Sequence, residues 1–165
     1  MIDQPIAENL WWGPAQDEYS TKVMNAVLDA ESPQLVVLNG DLITGENTLL
    51  HNSTLYVDEI VKPLVQRNLP WASTYGNHDS NYNLSRQGIF EREHRYRNSL
   101  TGCMVLQKSA GVSNYFLEVF SADVQKTTPE LILWFFDSRG GVEFQTLDKD
   151  GNTVTIPEVV DGSVS

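Results

Sequence analysis

Two short polar stretches carry the residue types that could do chemistry, Asn39-Gly40-Asp41 and Gly76-Asn77-His78-Asp79. A carboxylate such as that of Asp41 has two oxygens and can bridge two cations, and the amide oxygen of Asn77 is a neutral hard ligand. An imidazole such as that of His78, set beside a dinuclear centre, can give a proton to a leaving group or stabilise charge on a phosphoryl oxygen. Two metal ions a few ångströms apart polarise a phosphate and generate hydroxide near neutral pH. Residues of these kinds therefore fit metal-assisted phosphoester hydrolysis. The plainer reading is a pair of polar turns, with Gly76 allowing a tight bend free of a Cβ clash.

The elements that must position these residues are legible around them. Each polar stretch directly follows a short apolar run, "LVVL" over 35–38 and "LPWAST" over 69–74. The first run is continuous, as in a strand buried on both faces. Val23, Met24, Val27 and Leu28 predict a helix over 20–32, with Ser20 or Thr21 as its cap and Pro33 as its stop. Tyr56, Ile60, Val61, Leu64 and Val65 predict a second helix over 53–68, kinked or broken at Pro63. Helix, strand, helix, strand in this order predicts parallel strands joined by helical crossovers, hence an α/β layered domain. Ligands of such sheets bind at the carboxyl ends of the strands. Asp41 and Asn77-His78, 36 residues apart along the chain, are thus expected on one rim.

Further on, "LSRQGIFEREHRYR" over 84–97 predicts a helix, weakened by Gly88. "SNYFLEVFS" and "ELILWFFDS" predict strands, and the tail has a turn at Asp150-Gly151. There is no internal repeat and no clear linker, so residues 1–165 are expected to form one domain.

Composition bounds the class. The 165 residues are 41% hydrophobic and 20% charged, which suits a globular chain. No run approaches the ~20 apolar residues that span a bilayer. The opening residues have neither the basic start nor the apolar stretch of a signal peptide. A lone cysteine, Cys103, permits no disulfide within the chain. These features predict a cytoplasmic location without membrane association, and the sequons at Asn52 and Asn83 are read as chance. A net charge of −11 repels nucleic acid. A phosphate substrate would need that field offset, which divalent metals would do.

"LVVLNGD" followed by "WASTYGNHD" closely resembles two signature blocks of the calcineurin-like metallophosphoesterase superfamily, which includes the purple acid phosphatases. The flanking text, "WGPAQDEYSTKVMNAVLDAESPQLVVLNGDLITGEN" and "LWFFDSRGG", resembles the fungal branch of purple-acid-phosphatase-like, cell-cycle-linked phosphatases. The resemblance runs from about residue 11 to the C-terminus. It implies a sheet flanked by helices and a hydrolase in which metal-activated water attacks the phosphomonoester of a protein or small molecule. It assigns Asp41 to bridge the metals, Asn77 to hold the second metal, His78 to contact the substrate phosphate and Asp79 to orient His78. In a complete homologue it implies two divalent or trivalent ions drawn from Fe, Zn and Mn.

The same comparison marks departures. The family opens on a strand ending in Asp-x-His, whereas Asp3 has no His two places on. It also needs two later histidine blocks, and this chain has three histidines, His51, His78 and His94, none after 94. The resemblance thus implies a partial domain, lacking its first strand and its C-terminal histidine motifs. The alternative to a phosphatase is a catalytically inactive fragment or pseudoenzyme acting through binding alone. A chain completed by a second polypeptide at exposed sheet edges is the third expectation.

Other residues divide between site and scaffold. Arg86, Arg92, Arg95 and Arg97 read as a phosphate clamp or as a solvated helix face, with Glu91–Arg95 and Glu93–Arg97 at favourable spacing. The solvated face is preferred, with Arg86, nearest the Asn-His loop, as the exception that meets a substrate phosphate. His94 is expected at or near the surface and His51 in a loop, while Cys103 is expected buried. Trp11, Trp12, Trp71 and Trp134 are expected in core or rim packing, and "DKDGN" over 148–152 in a turn. Asp137 is left open between a rim position and a turn or cap.

Overall fold

The computed structural model describes residues 14–43, 54–79 and 85–164. Asp3, Trp11, Trp12, His51 and both sequon asparagines lie outside them. The chain divides into two compact units, Met1–Pro33 and Gln34–Ser165.

The first unit carries helix α1, Pro14–Glu31. It starts six residues before the expected cap. Proline suits a first turn, where its missing N–H has no intrahelical acceptor to lose. The helix stops short of Pro33 as expected, and Ser32 closes it in the left-handed region at φ 45°.

The second unit begins with β1, Val36–Asn39, crosses through α2, Thr54–Gln66, and returns as β2, Trp71–Thr74. The two strands are parallel, with Val36 opposite Trp71 and Asn39 opposite Thr74. Val57, Val61 and Leu64 give α2 its buried face, and the helix runs on through a buried Pro63. Val65, expected inward, is 38% exposed. β1 departs further from expectation. It is not buried on both faces, since Val37 is 48% exposed. Among the described residues β1 pairs only with β2, so its far side lacks a neighbouring strand.

After a 3-10 turn at Asn77–Asp79 comes α3, Arg86–Glu93, shorter than expected at both ends. Ser85 caps it, its hydroxyl accepting from Gly88 N at 3.0 Å. Glu93 does not pair with Arg97. It is fully buried, and its carboxylate accepts from Trp71 Nε1, Ser73 Oγ and Tyr75 Oη. Arg97 instead donates to Asn68 Oδ1. Arg92 reaches across to Asp58 on α2, which also accepts from Tyr96 Oη at 2.6 Å.

Strands β3, Tyr115–Phe120, and β4, Pro129–Phe135, form an antiparallel pair. The link over 121–128 is too short for a helical crossover, which a parallel pair would need. Tyr115 Oη donates to Ser73 O and Thr74 Oγ1 to Phe136 O, so the end of β4 lies beside the end of β2. A last antiparallel pair, β5, Val142–Leu147, and β6, Thr153–Thr155, turns at 148–152 as expected. Two clusters of the core lie among the described residues. One is Ile43, Val57, Tyr75 and Ile89, and the other is Ala72, Tyr115 and Phe135. Trp71 is buried, but Trp134 is 59% exposed, and Cys103 is exposed rather than buried. Among the described residues, no helix is long and apolar enough to cross a membrane.

Candidate functional site

The parallel pairing of β1 and β2 sets their carboxyl ends side by side, and the two polar stretches leave from there. Gly40, at φ +79°, and Asp41, at φ +49°, both turn through the left-handed region. That conformation costs a non-glycine residue about 1–2 kcal/mol. It bends the chain so that Asp41 Oδ1 accepts from the backbone N of His78 at 3.0 Å. The close approach requires glycine at 76. A Cβ there would overlap the Asp41 carboxylate and lie 2.6 Å from Asp41 N. The two sequence stretches are therefore two sides of one rim.

Exposure sorts the four polar side chains of this rim. Asp41 is exposed, Asn77 and His78 are half-buried, and Asp79 is buried beneath them. Asp79 takes a task other than the expected direct grip on the imidazole. Its Oδ2 accepts from Gly76 N at 2.7 Å and its Oδ1 from Ile43 N at 2.9 Å. One carboxylate thus ties the end of the first loop to the start of the turn that carries His78, and it acts on that residue through the main chain. Burial pushes its pKa up to about 6, against the opposing pull of the backbone N–H groups of Gly76 and Ile43, with the nearby Asp41 charge adding to the rise.

Arg86 is also turned inward and does not extend to the rim as a phosphate clamp. It is 6% exposed, and its Nη2 donates to the carbonyls of Gly76, Arg139 and Gly140 at 2.7–3.0 Å. Its Nε lies 3.6 Å from Asp137 Oδ1. Burial lowers its pKa, opposed by the charges of Asp137, Asp79 and Asp41.

Asp137 does follow a strand that ends on this rim, but its side chain is fully buried as a turn clamp. Its oxygens accept from Val112 N and Arg139 N, both at 2.8 Å, while its own N–H donates to Asn114 Oδ1. His94 is exposed just past the end of α3, its ring against Phe90. Sequence reasoning missed the segment 139–141, which lies against Asn77. The signal was the Gly140-Gly141 pair that follows Asp137-Ser138-Arg139.

The donor set at the rim suits hard or borderline cations in kind: a carboxylate from Asp41, an amide oxygen from Asn77 and an imidazole from His78. In number it is short. Among the described residues no three His, Cys, Asp or Glu side chains gather as a metal cage. Asp79 and Asp137 are committed to backbone N–H groups and cannot make up the count. The described residues can supply part of a metal site and not a closed one.

Comparison with known proteins bears on what this rim is. The pattern of the calcineurin-like phosphoesterases matches residues 12–156. Phosphatase DCR2 of Saccharomyces cerevisiae is 33% identical over 125 residues, which is 74% of this chain and 21% of that protein. A protein of Arabidopsis thaliana named probable inactive purple acid phosphatase 29 is 27% identical over 127 residues, 74% of this chain and 32% of that protein. The chain spans between a fifth and a third of the length of these relatives. No solved structure matches it.

Proposed function

The chain belongs to the calcineurin-like phosphoesterase family, and on that premise we propose that it carries one side of the site of a metal-dependent phosphoric-ester hydrolase. In this reading Asp41 and Asn77 are metal ligands, and His78 meets the phosphate of a phosphomonoester. The observation that carries it is the contact between Asp41 Oδ1 and His78 N, which brings a carboxylate, an amide and an imidazole to one accessible rim. Bound metal ions would supply positive charge against the phosphate and lower the pKa of a water molecule. The remaining donors would come from outside the described residues.

The tasks of the chain's own residues follow from their placement. Asp41 holds the His78 backbone and, with Asn77, offers hard oxygen to a cation. In this reading His78 would donate a hydrogen bond or a proton to a phosphate oxygen. Asp79 fixes the turn that presents both Asn77 and His78. The field of a chain with net charge −11 would be offset at the rim by the bound cations.

The test is metal content by elemental analysis together with phosphomonoester hydrolysis on the same sample. The reading expects Fe, Zn or Mn to be retained, and both metal and turnover to be lost in Asn77→Ala and Asp41→Ala. Retention of metal in both variants would exclude these residues as ligands. A second reading, action through binding alone, draws on the name of the Arabidopsis relative, which describes that protein as inactive. It expects neither metal nor turnover in the unaltered chain.

A further inference from the structure

Residues Arg139, Gly140 and Gly141 are three consecutive residues in the left-handed region, at φ 61°, 82° and 72°. Glycine enters that region without a Cβ penalty, so of the three only Arg139 carries a conformational cost there, about 1–2 kcal/mol, which its surroundings must offset. Here the run lies directly on the Asn77 turn. A Cβ on Gly141 would overlap Asn77 O, and one on Gly140 would sit 2.9 Å from Asn77 Cβ. The two glycines let a strap of backbone close over the residue proposed as a ligand.

What holds the strap is Arg86. One guanidinium nitrogen bonds the carbonyls of Arg139 and Gly140 in the strap and the carbonyl of Gly76, the residue just before Asn77. Asp137 supports the same corner, with Oδ1 accepting from Arg139 N and lying 3.6 Å from Arg86 Nε. The other end of the strap is tied to β6, since Ile156 N donates to Gly141 O at 3.0 Å. The Arg139 side chain points away and anchors on Ser109 O and Val159 O.

We propose that Arg86 is a positioning residue for the Asn77–His78 turn, pinning strap and turn together through their carbonyls rather than touching substrate. A planar guanidinium suits this task because, with Nη2 on the three carbonyls, its Nε still lies 3.6 Å from Asp137 Oδ1, a spread of charge that a compact ammonium lacks. What the strap contributes to turnover depends on the site reading above; that it holds the turn does not.

The experiment is backbone hydrogen exchange on Arg86→Ala, read at His78 N, which donates to Asp41, and at Arg139 N, which donates to Asp137. The expected result is an increase of about tenfold or more at both positions, with the β3–β4 pair unchanged, as for a local opening. Guanidinium chloride at about 20 mM, far below denaturing concentration, should restore protection, and ammonium chloride should not. A folded Arg86→Ala with unaltered exchange at His78 would overturn the proposal, as would equal rescue by ammonium. If Arg86→Ala fails to fold, Gly141→Ala displaces the strap while leaving the Arg86–Asp137 pair in place. It should raise exchange at His78 in the same way, and unaltered exchange there would again overturn the proposal. In a preparation that hydrolyses a phosphomonoester, Arg86→Ala should lower kcat with KM little changed. A wild-type chain without turnover would count against the hydrolase reading and leave the exchange result standing.

Discussion

Replacing Asp79 by Asn should shift the stability of the metal-free chain in the variant's favour as pH rises from 4 to 7. Asp79 is 1% exposed, and burial raises its pKa to about 6. An unfolded aspartate titrates near pH 4, so the rise is about two pH units, worth roughly 3 kcal/mol. The folded chain holds the Asp79 proton more tightly than the unfolded chain does. Its contribution to stability is therefore fully present below about pH 4 and is lost as pH rises through about 6. Asn is uncharged throughout, but unlike the protonated acid, whose hydroxyl oxygen can still accept, it keeps one acceptor oxygen for Gly76 N or Ile43 N and sets an N–H₂ against the other. The lost acceptor costs the variant about 1–3 kcal/mol at every pH, so the readout is the change in the gap, with Asp79→Asn gaining about 2–3 kcal/mol on the wild type between pH 4 and pH 7. Urea unfolding followed by tryptophan fluorescence at pH 4, 5, 6 and 7 measures that gap directly. Taking the difference also cancels the other carboxylates. A gap that stays constant with pH, or a wild-type chain that gains on the variant as pH rises, would refute the reasoning. Either would mean that the two backbone N–H groups outweigh the cost of burying the charge.

Three further outcomes follow from the same geometry. Gly76→Ala should push the two loops apart, because the added Cβ overlaps the Asp41 carboxylate. It should cost about 1–3 kcal/mol in thermal unfolding, and the exchange rate of His78 N should rise with it. Glu93→Gln replaces one of the oxygens that Trp71, Ser73 and Tyr75 use by an N–H₂. The expected loss is about 1–3 kcal/mol, with a shift in Trp71 emission, and an unchanged spectrum would contradict that buried network. Asp58 is held below the usual carboxylate range by its hydrogen bond from Arg92, with Tyr96 helping. Its contribution is present above about pH 4 and lost as pH falls through the lowered value. Asp58→Asn should therefore weaken the chain by about 1 kcal/mol at pH 7 and leave it unchanged well into acid, which pH-dependent urea titration would show.

Much of the first half of the fold could be read from residue order. The apolar runs before Asn39 and before Tyr75, with a helical pattern between them, are enough to specify a parallel pair, since a crossover joins strands in that sense. Asp41 and His78 came to one rim for this reason. The second half was less legible. "SNYFLEVFS" and "ELILWFFDS" read as strands, but their antiparallel sense depended on an eight-residue link whose length was the only cue. The strands of the last hairpin do alternate, Val142-Glu143-Phe144-Gln145 and Thr153-Val154-Thr155-Ile156, but each such run is at the lower limit of length that marks a strand, so the Asp150-Gly151 turn stands out alone.

The sequence by itself determined the chemistry on offer: a carboxylate, an amide and an imidazole at the ends of two strands, in a chain whose charge calls for a cation beside any phosphate. Local residue types and spacing suffice for that. Tertiary structure alone decided which polar side chains face solvent and which are spent inside. Arg86, Asp79 and Glu93 read as surface or rim residues and Asp137 as a rim, turn or cap residue, and all four are buried. Each is buried because backbone groups or side chains distant in sequence converge on it. A charged group leaves water only where such partners replace its hydration. Those partners lie up to 54 residues away along the chain, beyond the reach of any local pattern.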